Sequence, residues 1–269
     1  MHRKENELLH IRKTSVPNDV QEKSIEIKKT AEWKKVFSSD SNAIRSYFDL
    51  LDKEKIREGL RKEQHGLCAY CMGKLSVDSE GRDDFTIEHF TPISPEELQE
   101  GNGVQPANKE LALDYHNMLG CCSGGRKSEV DDRRILCCDA AKGNKIIIVD
   151  PRNKSFVDRI WYSKDGLLRV KDATDKELFD INYVLNLNGW TDKSGQMITD
   201  TASQLVGNRA SAYRAYQRFM NKLDKECNGN DERIVERIKK KIKELEGDDE
   251  YQEYLGVTLY FLKRRARLR

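Results

Sequence analysis

Six of the seven cysteines fall between Cys68 and Cys138, in three groups: Cys68-Ala-Tyr-Cys71, the doublet Cys121-Cys122 and the doublet Cys137-Cys138. Nothing else in the chain limits its fold so tightly. The C-x2-C spacing presents two sulfurs to one point after the turn-forming Gly66, as the first half of a tetrahedral zinc site does. One such pair alone is weak evidence, but a second pair downstream completes a ligand set. Adjacent cysteines rarely ligate one ion together, so one member of each doublet is expected to bind metal and the other to pack as a small apolar side chain.

Two other cysteine chemistries compete with this one. A thioredoxin-like redox motif would need a βαβ pattern around Cys68, and none is present. A disulfide framework would need an oxidising compartment. The start, MHRKENELLHIRKTS, is charged throughout, and no early apolar run reaches the length of a signal peptide or membrane span. The expectation is a cytoplasmic protein in a reducing compartment, with no membrane partner.

Around the cysteine stretch the chain reads as mixed helix and strand. Pro17-Asn18-Asp19 and Ser39-Asp40 are helix starts, and Ile44, Tyr47, Phe48, Leu51, Ile56 and Leu60 recur at a helical period. Phe85-Thr86-Ile87 reads as a short strand that delivers Glu88 and His89. Glu96 to Asn108 reads as a surface loop, and Ser123 to Arg134 as a hydrophilic excursion. Its Gly-Gly-Arg-Lys-Ser run has one residue too many between glycine and lysine and no strand before it, which excludes a nucleotide loop. Ile146 to Val149 reads as a strand. Phe156 to Tyr162 and Leu167 to Val170 read as a hairpin whose Asp165-Gly166 suits a type I′ turn. Leu178 to Leu187 suggests a helix ended by Asn188-Gly189. Helices are expected over Thr199 to Cys227, Asp231 to Glu246 and Asp249 to Arg267. With a formal net charge of only +2, nucleic-acid affinity would have to come from local patches. The densest is Lys263-Arg264-Arg265 with Arg267 and Arg269, which marks Arg264 and Arg265 as candidate nucleic-acid contacts. Along the last helix Tyr251, Tyr254, Leu255, Leu259 and Leu262 form an apolar stripe, expected either to close the chain's own core or to dock a partner.

The residues between the cysteines suit hydrolysis of a phosphodiester. That reaction needs a base near neutral pH, such as an imidazole, and a divalent ion held by oxygen ligands to offset charge at phosphorus. Glu88 and His89 are neighbours at a strand end, so their side chains point to opposite sides. One can hold a metal while the other faces the attacking water. Asn117 can hold the histidine loop through backbone hydrogen bonds, and Asp139, next to a cysteine, can supply a second carboxylate.

The order C-x2-C, Glu-His-x-x-Pro, an asparagine with a cysteine five residues on, then Cys-Asp-x-x-Lys resembles the HNH endonucleases. More narrowly it resembles the HNH subunit of Septu-type anti-phage systems, also found as an accessory protein of retrons. Ile11-Arg12-Lys13 with Pro17, Leu185-Asn186-Leu187-Asn188 and Leu205-x-x-Asn208-Arg209 extend that likeness to about Tyr216. The resemblance implies His89 as general base, Asn117 as the residue that orients it, and Glu88 with Asp139 as ligands of a catalytic Mg or Mn ion. It implies Cys68, Cys71, Cys122 and Cys138 as ligands of a structural zinc, with the asparagine-to-cysteine spacing selecting Cys122 over Cys121. It also implies Lys142 as a phosphate contact. The pattern departs from the family at Asp139, where a final His or Asn is usual, and in the Ser123–Arg134 insertion between the second pair of cysteines. His116 is an extra candidate for base or ligand.

The implied fold is α+β: a small zinc-stapled ββα-metal (HNH) core embedded in a mostly helical protein. An N-terminal arm with scaffold helices is expected over 1–64, the nuclease core with its following hairpin over 65–190, and a C-terminal helical region over 191–269. The implied partners are a nucleic-acid substrate, an ABC/SMC-like ATPase subunit, and a retron reverse transcriptase with its DNA–RNA product.

Overall fold

A computed structural model of the chain describes residues 10–94, 109–126, 135–191, 197–198 and 204–267. The architecture is mixed: many helices surround three small antiparallel two-stranded sheets. The N-terminal helices are α1 (Asn18–Lys29), α2 (Ala31–Lys35), α3 (Ser41–Phe48) and α4 (Lys53–Glu63). The run from Ile44 to Leu60 is two helices instead of the single one its period suggests. Asp40 caps α3 through Ala43 N at 2.9 Å, and Asp52 starts α4 by accepting from Glu54 N and Lys55 N at 3.0 Å. Ile44, Ile56 and Leu60 are all fully buried on both sides of the break.

The central sheet joins β1 (Thr86–His89) to β2 (Met118–Cys121), with Thr86 opposite Cys121 and His89 opposite Met118. Between them lie α5 (Lys109–Ala112) and a 3-10 turn over Tyr115–Asn117. The short α6 (Cys138–Lys142) follows. Gln64, at the end of α4, ties the sheet down. Its amide donates to Leu67 O and Gly120 O at 2.8 Å and its oxygen accepts from Gly120 N at 2.7 Å. A side chain that satisfies three buried backbone groups at once fixes the spacing between α4 and β2.

Further on come α7 (Lys154–Val157), the hairpin β3 (Ile160–Tyr162) and β4 (Leu168–Val170), and α8 (Asp175–Phe179), which continues as a π-helical turn over Asp180–Val184. Three local expectations are corrected here. Ile146 to Val149 is not a strand; Ile148 N donates instead to the buried Asp180 Oδ2 at 2.7 Å. Helical structure already occupies Lys154–Val157, so the first strand of the hairpin starts later than the apolar run suggested. The hairpin loop is longer than a type I′ turn, with Ser163 N bonded to Leu167 O and Gly166 alone at positive φ. The reason lies in packing, since a Cβ at Gly166 would sit 2.1 Å from Val206 O. The loop is shaped to admit a helix backbone.

That helix is α9 (Leu205–Glu226), preceded by the small sheet of β5 (Trp190–Thr191) and β6 (Met197–Ile198) and followed by α10 (Asp231–Leu245) and α11 (Leu255–Arg265). The last helix starts later than Asp249, because the preceding residues make loop contacts: Tyr251 N bonds His65 O at 2.9 Å and Tyr254 N bonds Met72 O at 3.0 Å. Tyr251, Tyr254, Leu255, Leu259 and Leu262 are buried, so the apolar stripe closes the chain's own core. Among the described residues no helix is long and apolar enough to cross a membrane. The expected loop over Glu96 to Asn108 and most of the excursion after Ser123 lie outside the described residues.

Candidate functional site

The cysteine stretch folds as two half-sites that meet, one preceding β1 in the chain and the other following β2. In the first, Gly66 adopts φ 75° and Leu67 bridges Lys74. Cys68 N bonds Gly73 O at 2.7 Å, Met72 N bonds Cys68 O at 3.1 Å, and Gly73 N donates to Cys71 Sγ at 3.3 Å. These bonds make a tight knuckle with both sulfurs on its inner side. In the second half-site, Cys122 continues from β2, and Cys137 N bonds Gly124 O at 2.9 Å. Gly124, at φ 59°, allows this, because a Cβ there would lie 2.2 Å from Cys137 O. Cys138 holds φ 57°, unusual for a residue with a side chain, and its N–H donates to Leu185 O at 2.8 Å.

The sulfurs of Cys68, Cys71, Cys122 and Cys138 all lie within 4.8 Å of one another. The Cys71–Cys122 separation is 3.7 Å, and four sulfurs about 2.3 Å from one ion would be about 3.8 Å apart in a tetrahedron. The cluster can therefore hold a metal such as zinc, and its ligand set is the one named from the sequence. Cys121 and Cys137 are fully buried outside it. One member of each doublet thus lies in the cluster and the other packs outside it.

Next to this cluster, β1 sends its last two side chains to opposite faces. On one face Glu88, 5% exposed, pairs with the fully buried Lys142 at 2.6 Å and accepts from Tyr70 Oη at 3.3 Å. Burial, then a hydrogen bond with Asp139, push its carboxyl well above the usual carboxylate range, against the opposing charge of Lys142. Asp139 in turn pairs with Arg126 at 2.8 Å. Two carboxyl groups so close that they share a hydrogen bond have the donor chemistry of an oxygen-ligated cation site.

On the other face lies His89, with Nε2 3.1 Å from Ala112 O. A carbonyl only accepts, so Nε2 carries the proton and the lone pair is on Nδ1. Burial first, with added effects of Arg45, Lys142 and Lys53, pushes the imidazole down to about 4. It is neutral near pH 7 and able to take a proton. Its ring meets Phe48 of α3 edge-on at 4.6 Å. Asn117 clamps the loop that follows: its amide donates to Thr91 O at 2.9 Å and Leu111 O at 3.1 Å, and Thr91 N donates to its oxygen at 2.9 Å. His116 faces away from this clamp, exposed and 3.3 Å from Asp114.

The structure therefore brings Glu88, His89, Asn117, Asp139 and Lys142 together around one strand end, although Lys142 is an internal ion-pair partner and fully covered. Arg264 and Arg265 lie near the end of α11, where Arg264 donates to Tyr260 and Arg265 pairs with Asp231. Sequence reading missed Arg45 and Lys53, which flank His89 from helices taken as scaffold. It also missed Arg126 on Asp139. Lys53 sits over the Phe48 ring at 3.6 Å and burial pushes it down to about 8. No local pattern marks these cations, because only tertiary packing brings them to the strand end.

No family model matches the chain. It is 22% identical over 163 residues to Septu protein PtuB of Bacillus mycoides, an alignment covering 57% of this chain and 54% of that protein. It is 28% identical over 124 residues to the retron Ec83 putative HNH endonuclease of Escherichia coli, covering 45% of this chain and 42% of that one. The chain spans about half the length of these curated relatives. Both kinds of relative are those indicated by the spacing of Cys68, Glu88-His89, Asn117 and Asp139, and the resemblance to Septu- and retron-type HNH proteins is borne out.

Proposed function

We propose that this chain is a metal-dependent HNH endonuclease that hydrolyses phosphodiester bonds of DNA or RNA as the effector of an anti-phage defence system. The observation that carries the reading is the division of labour at the end of β1. A neutral imidazole with a free Nδ1 occupies one face, and a Glu88–Asp139 carboxyl pair occupies the other. β1, β2 and α6 correspond to a ββα-metal unit, stapled by zinc on Cys68, Cys71, Cys122 and Cys138.

In this mechanism His89 Nδ1 takes the proton of the attacking water, and Ala112 O keeps the ring in the tautomer that can do so. Asn117 holds Thr91 and Leu111 and so fixes the loop carrying the base. Glu88 and Asp139 are the residues that would hold a Mg or Mn ion, which when bound offsets negative charge on the phosphate. Lys142 and Arg126 neutralise the two carboxylates otherwise. Arg45 and Lys53, on the His89 side, are suited to meet substrate phosphates. Exposed Arg264, with Arg265, would extend that contact to the α11 end.

The names of the two relatives support a place in a multicomponent defence complex. The partners proposed are an ABC/SMC-like ATPase and, in a retron setting, a reverse transcriptase with its DNA–RNA product, all in the cytoplasm. The test is incubation of the purified chain, alone and with the proteins encoded beside it, with plasmid DNA and structured RNA in Mg²⁺, Mn²⁺ or chelator. Divalent-dependent cleavage is expected; failure to cut either polymer under every condition overturns the reading.

A further inference from the structure

Arg209 of α9 is the most unusual charge in the molecule. Its relative exposure is 0%. Nε donates to Gly166 O at 2.7 Å, and Nη2 donates to Leu187 O and to Asn188 Oδ1 at 3.2 Å. Nη1 has no hydrogen-bond partner among the described residues. A guanidinium stays protonated at any pH the protein meets, and burying it without a counter-charge costs several kcal/mol. Yet its hydrogen bonds all end on neutral oxygens, and the acidic groups that act on it most strongly are Tyr162, Cys71, Tyr254 and Cys138.

The tyrosines do not supply the missing charge. Burial holds the phenols of Tyr162 and Tyr254 well above their usual range, so both are neutral. The two cysteines both belong to the four-sulfur cluster, and geometry ties Arg209 to it: Cys138 N bonds Leu185 O at 2.8 Å, two residues before the Leu187 carbonyl that Arg209 holds. The cluster has the opposite deficit. Four thiolates around a divalent ion carry a formal charge of −4 + 2 = −2, and Cys68, Cys71 and Cys138 are at most 2% exposed. The other buried or bridging cations nearby are engaged elsewhere, Lys142 on Glu88 and Arg126 on Asp139.

α9 reaches the cluster by a second route as well. Asn208 Nδ2 donates to Tyr254 Oη at 3.2 Å. Gly73 lies next to both groups, since the position a Cβ would take on it is 3.4 Å from Cys71 Sγ and 3.6 Å from Tyr254 Oη. Adjacent residues of one helix thus both reach the surroundings of the cluster.

We propose that Arg209 is the counter-cation of the four-cysteine metal centre, tuning its affinity for a soft divalent ion and making the seating of α9 depend on metal. This rests on the reading of the four cysteines as metal ligands. Groups that support metal ligands from behind commonly change affinity by about 10- to 100-fold when removed. A counter-cation has a further signature: it lowers the energy of the sulfur electrons, and its loss moves sulfur-to-metal charge transfer to lower energy.

The experiment uses the full chain, its Arg209→Met and Arg209→Lys variants, zinc competition against a chromogenic chelator, and absorption of the cobalt(II)-loaded proteins. Arg209→Met is expected to bind zinc roughly 10- to 100-fold more weakly and to red-shift the sulfur-to-cobalt band. Arg209→Lys, which keeps the charge, should retain most of the affinity and the band position. Wild-type affinity in Arg209→Met overturns the inference. So does a loss in Arg209→Lys as large as in Arg209→Met, which would assign the residue to hydrogen bonding alone. Should Arg209→Met fail to fold, Arg209→Lys decides: a loss of zinc like that of Cys138→Ser overturns it, and retention upholds it. A wild-type chain that binds neither metal overturns the reading of the cysteines instead.

Discussion

Lys142 Nζ lies 2.6 Å from Glu88 Oε1, and neither side chain is more than 5% exposed. The pair fills the space where two carboxyl groups converge, since Glu88 also meets Asp139. Its role is internal neutralisation, which explains how the chain can keep two acids side by side under cover.

Replacing Lys142 by Met should leave Glu88 without its cation. Breaking one side of a buried ion pair typically costs about 3–5 kcal/mol, or a fall in melting midpoint of roughly 6–20 °C for a chain near this size. If Glu88 and Asp139 form a cation site, Mn²⁺ should restore part of the loss. Thermal melts with and without Mn²⁺ check both effects, and an unchanged midpoint would count against the burial argument.

The doublets should divide in function. Cys122→Ser and Cys138→Ser are expected to lose zinc, since their sulfurs complete the cluster. Cys121→Ser and Cys137→Ser should keep about one zinc per chain and lose only packing stability. Zinc content by mass spectrometry after gel filtration separates the four variants.

His89→Ala should reduce cleavage by about 10²- to 10⁴-fold, the usual contribution of a general base, while zinc content stays unchanged. His116→Ala should cleave at near wild-type rate, because that ring is 53% exposed and pairs with Asp114. Single-turnover cleavage rates at saturating protein provide the comparison. Loss in the second variant and not the first would move the base to His116.

Truncation after Gly247 should yield an unfolded chain, not a free nuclease. It removes Tyr251, Tyr254, Leu255, Leu259 and Leu262, all at most 7% exposed. Burying one such side chain contributes about 1.5–3 kcal/mol, against a total stability of about 5–15 kcal/mol for a typical domain. A truncated protein with a cooperative thermal transition would contradict this.

Much of the site was legible because its chemistry is local in sequence. The Cys68–Cys71 spacing and the Glu88-His89 dipeptide each constrain a turn or strand end directly, while the family resemblance singled out Cys122 over Cys121. Helix α10 was legible for a similar reason, with Ile234, Ile238 and Ile242 on one face. What escaped depends on distant partners. Asp52 breaks a helix that apolar spacing alone would continue, and Asp180 takes Ile148 N from any ladder. Lys142 reads in the sequence as a phosphate contact, and only the fold sets it against Glu88. Arg209 carries no sign of its burial in the sequence, because the carbonyls it meets belong to Gly166 and Leu187.

The bond from Tyr254 N to Met72 O joins the cysteine knuckle to a segment made much later by the ribosome. The knuckle emerges first, but the backbone group that bonds it arrives only just before α11. A nascent chain would therefore expose the knuckle's thiols through much of its synthesis, and the setting of the four-cysteine cluster would form last. Under the function proposed, that order delays competence until this segment has been translated.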